Sequence, residues 1–171
     1  MTNKFYVEFG FNSRTFEGGI GANTFALRKY FGWEGLLLDG EHENPDINLH
    51  KEFITPANIV QLFDKYGVPR EPDYVSIDVD SIDLWIMKSL VKGGYRPRVM
   101  TVEYNINLPI DAVLVQALDG GNVFDYAFGA SLKAIATVAE ELGYHVDDDL
   151  VCGSSRGDAA IAIASHSFKR L

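Results

Sequence analysis

Two periods of apolar and polar positions alternate along the chain. Phe5-Tyr-Val-Glu-Phe-Gly10, Gly35-Leu-Leu-Leu-Asp39, Tyr74-Val-Ser-Ile-Asp78-Val-Asp80 and Val99-Met-Thr-Val-Glu103-Tyr-Asn105 are short, nearly continuous apolar runs. They predict strands buried on both faces, where no polar side is needed. Between them, apolar residues three and four apart predict helices. The first runs from about Asn23 to Phe31, carries Phe25, Leu27, Tyr30 and Phe31, and stops at Gly32. Thr55-Pro56 opens a second, with Ile59, Leu62, Phe63 and Tyr66 inward and Gly67 closing it. A third spans about Ser81 to Val91, and Ser131 caps a fourth whose face is Leu132, Ile135, Val138, Ala139 and Leu142.

The connections complete the pattern. Lys51 to Thr55 predicts a short third strand, and the polar stretch from Glu41 to Asn48 before it is too short for a full crossover helix. Leu108 to Phe128, with Pro109 and Gly120-Gly121, predicts a long loop or lid. Tyr144 to Val151 and Asp158 to Ala164 predict a terminal antiparallel pair joined by Gly153 to Gly157. The whole reads as one α/β domain over 1–171: a three-layer Rossmann-like fold with a mostly parallel sheet and a C-terminal antiparallel strand.

That fold gives the strand ends their meaning, because open α/β sheets bind ligands at the carboxyl ends of their strands. Two neighbouring strands end in Asp78, Asp80, Glu103 and Asn105. Each pair is two residues apart and so shares a face. Hard oxygen donors of this kind suit Mg²⁺, Ca²⁺ or Mn²⁺. Alternatively, crowded carboxylates supply a general base for a hydroxyl, which makes Asp78, Asp80 and Glu103 the catalytic candidates. A purely structural alternative has Asp80 or Ser81 capping the next helix while Asn105 turns the chain. At the first strand, Glu8-Phe9-Gly10 sets an acid and a glycine where a nucleotide meets such a sheet. Asp39 ends the second strand, where an acid accepts from a ribose diol or caps a helix. The turn after Gly10 lacks the Gly-x-Gly-x-x-Gly pyrophosphate cradle, which disfavours a dinucleotide and allows an adenosine ligand without phosphates.

Composition narrows the partners. The chain is 47% apolar and 23% charged, within the range of folded globular proteins. A net charge of −9 with scattered Arg and Lys argues against nucleic acid. The single cysteine, Cys152, excludes an intramolecular disulfide and a Cys-rich metal site. No apolar stretch approaches the roughly 20 residues that span a bilayer. With a strand-like run already at Phe5, no signal peptide is expected, and the expected location is cytoplasmic. The four histidines show no helical metal-ligand spacing, and His42 alone lies near the expected ligand edge. Trp33 and Trp85 are expected in the core, with Tyr104 on the face opposite Glu103 and Asn105.

Val7 to Gly10, Gly32 to Gly40, Ser76 to Asp80 and Tyr95 to Asn105 together resemble the FkbM-type branch of the class I S-adenosylmethionine-dependent methyltransferases. Gly129-Ala-Ser-Leu-Lys133 and Gly143-Tyr144 add to the resemblance, which runs in patches from about residue 5 to 165. It implies an S-adenosylmethionine-dependent O-methyltransferase acting on a small molecule or sugar. Glu8, Phe9 and Gly10 would then line the methionine side of the cofactor, and Asp39 with Gly40 the ribose. Ile54 and Thr55 would lie near the adenine, and Asp78 would touch the cofactor and, with Asp80, face the methyl-transfer centre, with Glu103 and Asn105 beside them. Asp80, Glu103 and Asn105 would imitate the divalent-metal site that related methyltransferases place at equivalent strand ends. The chain departs from the pattern in its Gly-rich first turn, Phe16 to Gly21, and in the missing helix between the second and third strands. Those departures motivate a second hypothesis, a non-catalytic binding module or partner subunit. A third is a metal-dependent hydrolase using the same carboxylates. The aromatic loop around Phe124, Tyr126 and Phe128 offers a surface for pairing two copies.

Overall fold

A computed structural model describes residues 2–16, 22–118, 128–153 and 158–165. Seven strands form one sheet in the order β3-β2-β1-β4-β5-β7-β6. They are β1 Phe5–Phe9, β2 Glu34–Asp39, β3 Leu49–Lys51, β4 Tyr74–Ile77, β5 Val99–Asn105, β6 Tyr144–Gly153 and β7 Asp158–Ser165. The first five strands pair in parallel, and β7 runs antiparallel to both β5 and β6. The sheet is thus mixed and mostly parallel, with an antiparallel pair at its C-terminal edge, a Rossmann-like arrangement. The helices are α1 Phe25–Phe31, α2 Ile59–Lys65, α3 Asp83–Lys92 and α4 Leu132–Glu141.

The alternation of side chains along each strand divides the core in two. Val7, Phe9, Leu36, Leu38, Val75, Ile77, Met100 and Val102 all point to one face, where they pack with α2, α3 and α4. On the other face Tyr6, Leu37 and Leu49 pack with Phe11 and Phe16, and Phe25 and Leu27 of α1 lie against them. The layers are therefore unequal. No residue of α1 is fully buried, and its Tyr30 and Phe31 are 67% and 62% exposed. A seven-residue helix has too few turns to turn all four of its large apolar side chains to the sheet.

Other boundaries move for local reasons. The connection after Asp39 holds only a 3₁₀ turn, Pro45–Ile47, as its length demands. β3 comes earlier than expected, at Leu49–Lys51, because Leu49 pairs with Leu37 and is fully buried there. Thr55 caps the turn that leads into α2, ahead of the regular helix. It exchanges hydrogen bonds with Asn58, whose amide reaches Thr55 Oγ1 and whose Oδ1 accepts from the Thr55 amide, and the helix begins at Ile59. α4 starts where expected, with Ser131 Oγ accepting from the Ala134 amide. Trp33, Trp85 and Tyr104 are partly buried against the two cores, Tyr104 on the α2–α4 side. Phe124, Tyr126, Gly120-Gly121, His166, most of the Gly-rich segment after Phe16 and most of the Gly153–Gly157 turn lie outside the described residues. Among the described residues no helix is long and apolar enough to cross a membrane.

Candidate functional site

Strand register brings the predicted acids together. β1 pairs Phe9 with Leu38 and Glu8 with Ser76, and β4 pairs Ile77 with Val102. Continuing each register by one or two residues sets Asp39, Gly10, Asp78 and Glu103 side by side across four strands. The alternation that sends Phe9, Leu38, Ile77 and Val102 into the larger core turns the next residues toward the α1 side. Gly10 permits this row. Its φ is +66°, and a Cβ there would stand 2.0 Å from the Asp78 carbonyl oxygen. Gly10→Ala should therefore destabilise the fold by about 3 kcal/mol in urea denaturation, from left-handed strain and a backbone clash. A loss below about 0.5 kcal/mol would show that the two strand ends do not approach this closely.

Asp78, Asp80 and Glu103 each offer an oxygen, and the three lie within 4.8 Å of one another. Glu103 is buried, while Asp78 and Asp80 are exposed. Asp80 has a left-handed φ of 68°, an unusual conformation for a residue with a side chain. Opposite oxygens around a Ca²⁺ at about 2.4 Å lie about 4.8 Å apart, so three carboxylates at this spacing fit a hard divalent ion. Asn105, the amide predicted to join them, is drawn into the following loop. Its Oδ1 accepts from the amide and Nδ2 of Asn107, and its Nδ2 donates to the Phe128 carbonyl.

Asp83 was not among the predicted residues. It is 4% exposed and opens α3. With Asp80, Glu103, Asn105 and Gly129 it lines a depression of about 10 Å³, the space of one water or ion. Burial, opposed by the Val79 amide and reinforced by the nearby charge of Asp78 and Asp80, pushes its pKa up to about 7. The only signal in the sequence was an acid in the first turn of a helix, which by itself reads as a partner for the helix dipole.

The remaining predicted residues divide by what they already hold. Asp39 is 6% exposed. It accepts from the amides of Asn12 at 2.7 Å, Glu41 at 2.7 Å and His42 at 2.8 Å, and its Oδ1 lies 2.9 Å from His42 Nδ1. Burial alone would raise its pKa, but these donors prevail and hold it below the usual value. His42 thus touches the expected ligand edge through Asp39. Gly40 is exposed with open space around it. Glu8 is 3% exposed and accepts from the Asn23 and Thr24 amides and from the Thr24 hydroxyl, tying β1 to the start of α1. Burial pushes its pKa up. Phe9 points into the larger core, its ring 5.9 Å from that of Phe63. Ile54 is buried in the same core, and Thr55 is engaged with Asn58. A larger depression of about 470 Å³ lies at the opposite end of β2, between Arg28, Trp33 and Ile47. It carries none of the clustered carboxylates, so the chemistry places the candidate site at the carboxyl edge.

No protein-family model matches the chain, and no curated protein matches it. Solved structures do. The pyocyanin biosynthetic protein PhzM matches over 96% of this chain and 51% of its own, at 12% identity and a TM-score of 0.44. The mitomycin 7-O-methyltransferase MmcR matches over 94% of this chain and 48% of its own, at 14% identity and a TM-score of 0.47. CalO1, a methyltransferase in calicheamicin biosynthesis solved with SAH bound, matches over 94% of this chain and 48% of its own, at 14% identity and a TM-score of 0.46. The chain spans about half the length of these proteins. The comparisons also correct the FkbM-type resemblance. The structures found are Rossmann-fold class I methyltransferases, structurally distinct from the FkbM family, and the chain is not assigned to that branch. The quoted segments mark strand ends, which related Rossmann-like sheets share for reasons of topology.

Proposed function

We propose that the protein is an S-adenosylmethionine-dependent methyltransferase acting on a hydroxyl of a small molecule. The observation carrying this reading is the row Asp39, Gly10, Asp78 and Glu103 at the carboxyl edge of a sheet with the methyltransferase strand order. Asp39 is the ribose acceptor in this reading, with the first-turn backbone at Phe9 and Gly10 and that at Gly40 beside it. The Glu8 carboxylate holds α1 in place, and Ile54 and Thr55 form the base of the adenine side. Methyl transfer is an in-line displacement, in which the protein chiefly sets donor and acceptor at attack distance. Asp78 or Asp80 takes the hydroxyl proton. A divalent ion held by Asp78, Asp80 and Glu103, with Asn105 adjoining, would lower the pKa of that hydroxyl.

Calorimetry with S-adenosylmethionine and S-adenosylhomocysteine tests the reading. Binding is expected, and Asp39→Ala should weaken it at least about tenfold, the worth of one charge-assisted hydrogen-bonded pair. Unaltered affinity in a folded Asp39→Ala protein would remove the ribose assignment. A second reading, a binding module without turnover, draws on Asp39 being occupied by its own chain. A ribose diol would have to share Oδ2 with the Asn12 amide. Cofactor binding without methylation across a panel of hydroxylated acceptors is the result that favours it.

A further inference from the structure

We propose that Asp83 is the positioning residue of the acidic site, clamping the loop that carries Asp78 and Asp80 against Glu103. The inference rests on the methyltransferase reading for its functional consequence. The clamp itself stands on geometry. Asp83 Oδ1 accepts from the Val79 amide at 2.8 Å. Val79 lies beyond the end of β4, between the two aspartates. The bond therefore closes a loop from the strand end to the first residue of α3, and the rest of α3 anchors it. Leu84, Ile86, Met87 and Leu90 are all at most 3% exposed.

Asp80 sits inside that closed loop with φ 68°. Left-handed backbone is strained for a residue with a side chain, so something nearby must hold it there. Without the clamp the loop relaxes toward right-handed backbone, and Asp80 swings away from Asp78 and Glu103. Asparagine at position 83 keeps an acceptor oxygen and alanine does not, which separates acceptor geometry from charge.

The test compares wild type, Asp83→Asn and Asp83→Ala by amide hydrogen exchange and by calorimetry with S-adenosylhomocysteine. In the wild type the Val79 amide, outside any strand ladder, should exchange at least about a hundredfold slower than an open loop amide. Alanine should remove that protection and, by displacing the Asp78 contact to the cofactor, weaken S-adenosylhomocysteine at least about tenfold, while asparagine should stay within about threefold of wild type on both. A rapidly exchanging Val79 amide in the wild type overturns the clamp without any variant, so a misfolded alanine protein does not block the test. Equal S-adenosylhomocysteine affinity in wild type and alanine variants overturns the positioning role. An equal loss in the asparagine and alanine variants shows that charge, not the clamp, matters. A wild type that protects Val79 but binds no S-adenosylhomocysteine refutes the methyltransferase reading and leaves the clamp standing.

Discussion

Asp83→Asn should make the protein more stable at pH 8, and by clearly less at pH 5. The folded-state pKa of Asp83 is raised to about 7 from an ordinary 3.8, chiefly by burial. Below the ordinary value the group is protonated in both states and contributes no pH dependence. Between the two values the folded protein keeps a proton that the unfolded chain releases, so stability falls as pH rises. Above pH 7 the full penalty is present. Three units correspond to at most about 4 kcal/mol at pH 8, with less than half of that developed by pH 5. Asparagine never ionises, retains the acceptor for Val79, and can donate its amide hydrogens toward the carboxylates around the depression. Urea denaturation of both proteins at the two pH values measures the difference. Equal gains at pH 5 and pH 8 would mean that Asp83 ionises as an ordinary carboxylate.

The same residue shows where the sequence stops being legible. Strand positions were readable because burial on both faces forces continuous apolar runs, as in Leu36-Leu37-Leu38 and Val99 to Asn105. The reversed final strand was readable because a short turn can join only antiparallel neighbours. The acids at the ends of β4 and β5 followed from topology, since two neighbouring parallel strands must end at the same edge. Hydrogen bonds between side chains and loop amides left no such mark. The Asn12 amide on Asp39, Asn105 turned toward Asn107, and Asp83 on Val79 each depend on the path of an irregular segment. Periodicity constrains ladders and helix faces but not those paths. The contacts of Glu8 were hidden for a related reason. Its position on β1 was expected, but the face it points to is occupied by the start of α1, which takes both its oxygens.

The largest functional effect is expected from Asp78→Asn combined with Asp80→Asn. The change is close to isosteric, so it preserves volume while removing two groups that can accept a proton or bind a cation. Loss of general-base catalysis typically costs about 10²–10⁴ in rate, and the double variant should fall in that range with saturating cofactor and the acceptor that the wild type methylates. Its stability should not fall with its activity. Asp78 and Asp80 carry like charges within 4.8 Å of the Glu103 carboxylate, so neutralising two of the three relieves repulsion in the folded state. A protein that is inactive yet at least as stable as wild type would separate a functional cluster from a structural one. Chelation then divides the two chemistries. If EDTA abolishes wild-type turnover and Mn²⁺ restores it, the carboxylates act through a metal; if turnover is indifferent to EDTA, one of them takes the proton directly. Full turnover by the double variant would remove both roles. The row at the carboxyl edge would then bind the cofactor and leave the acceptor proton to water.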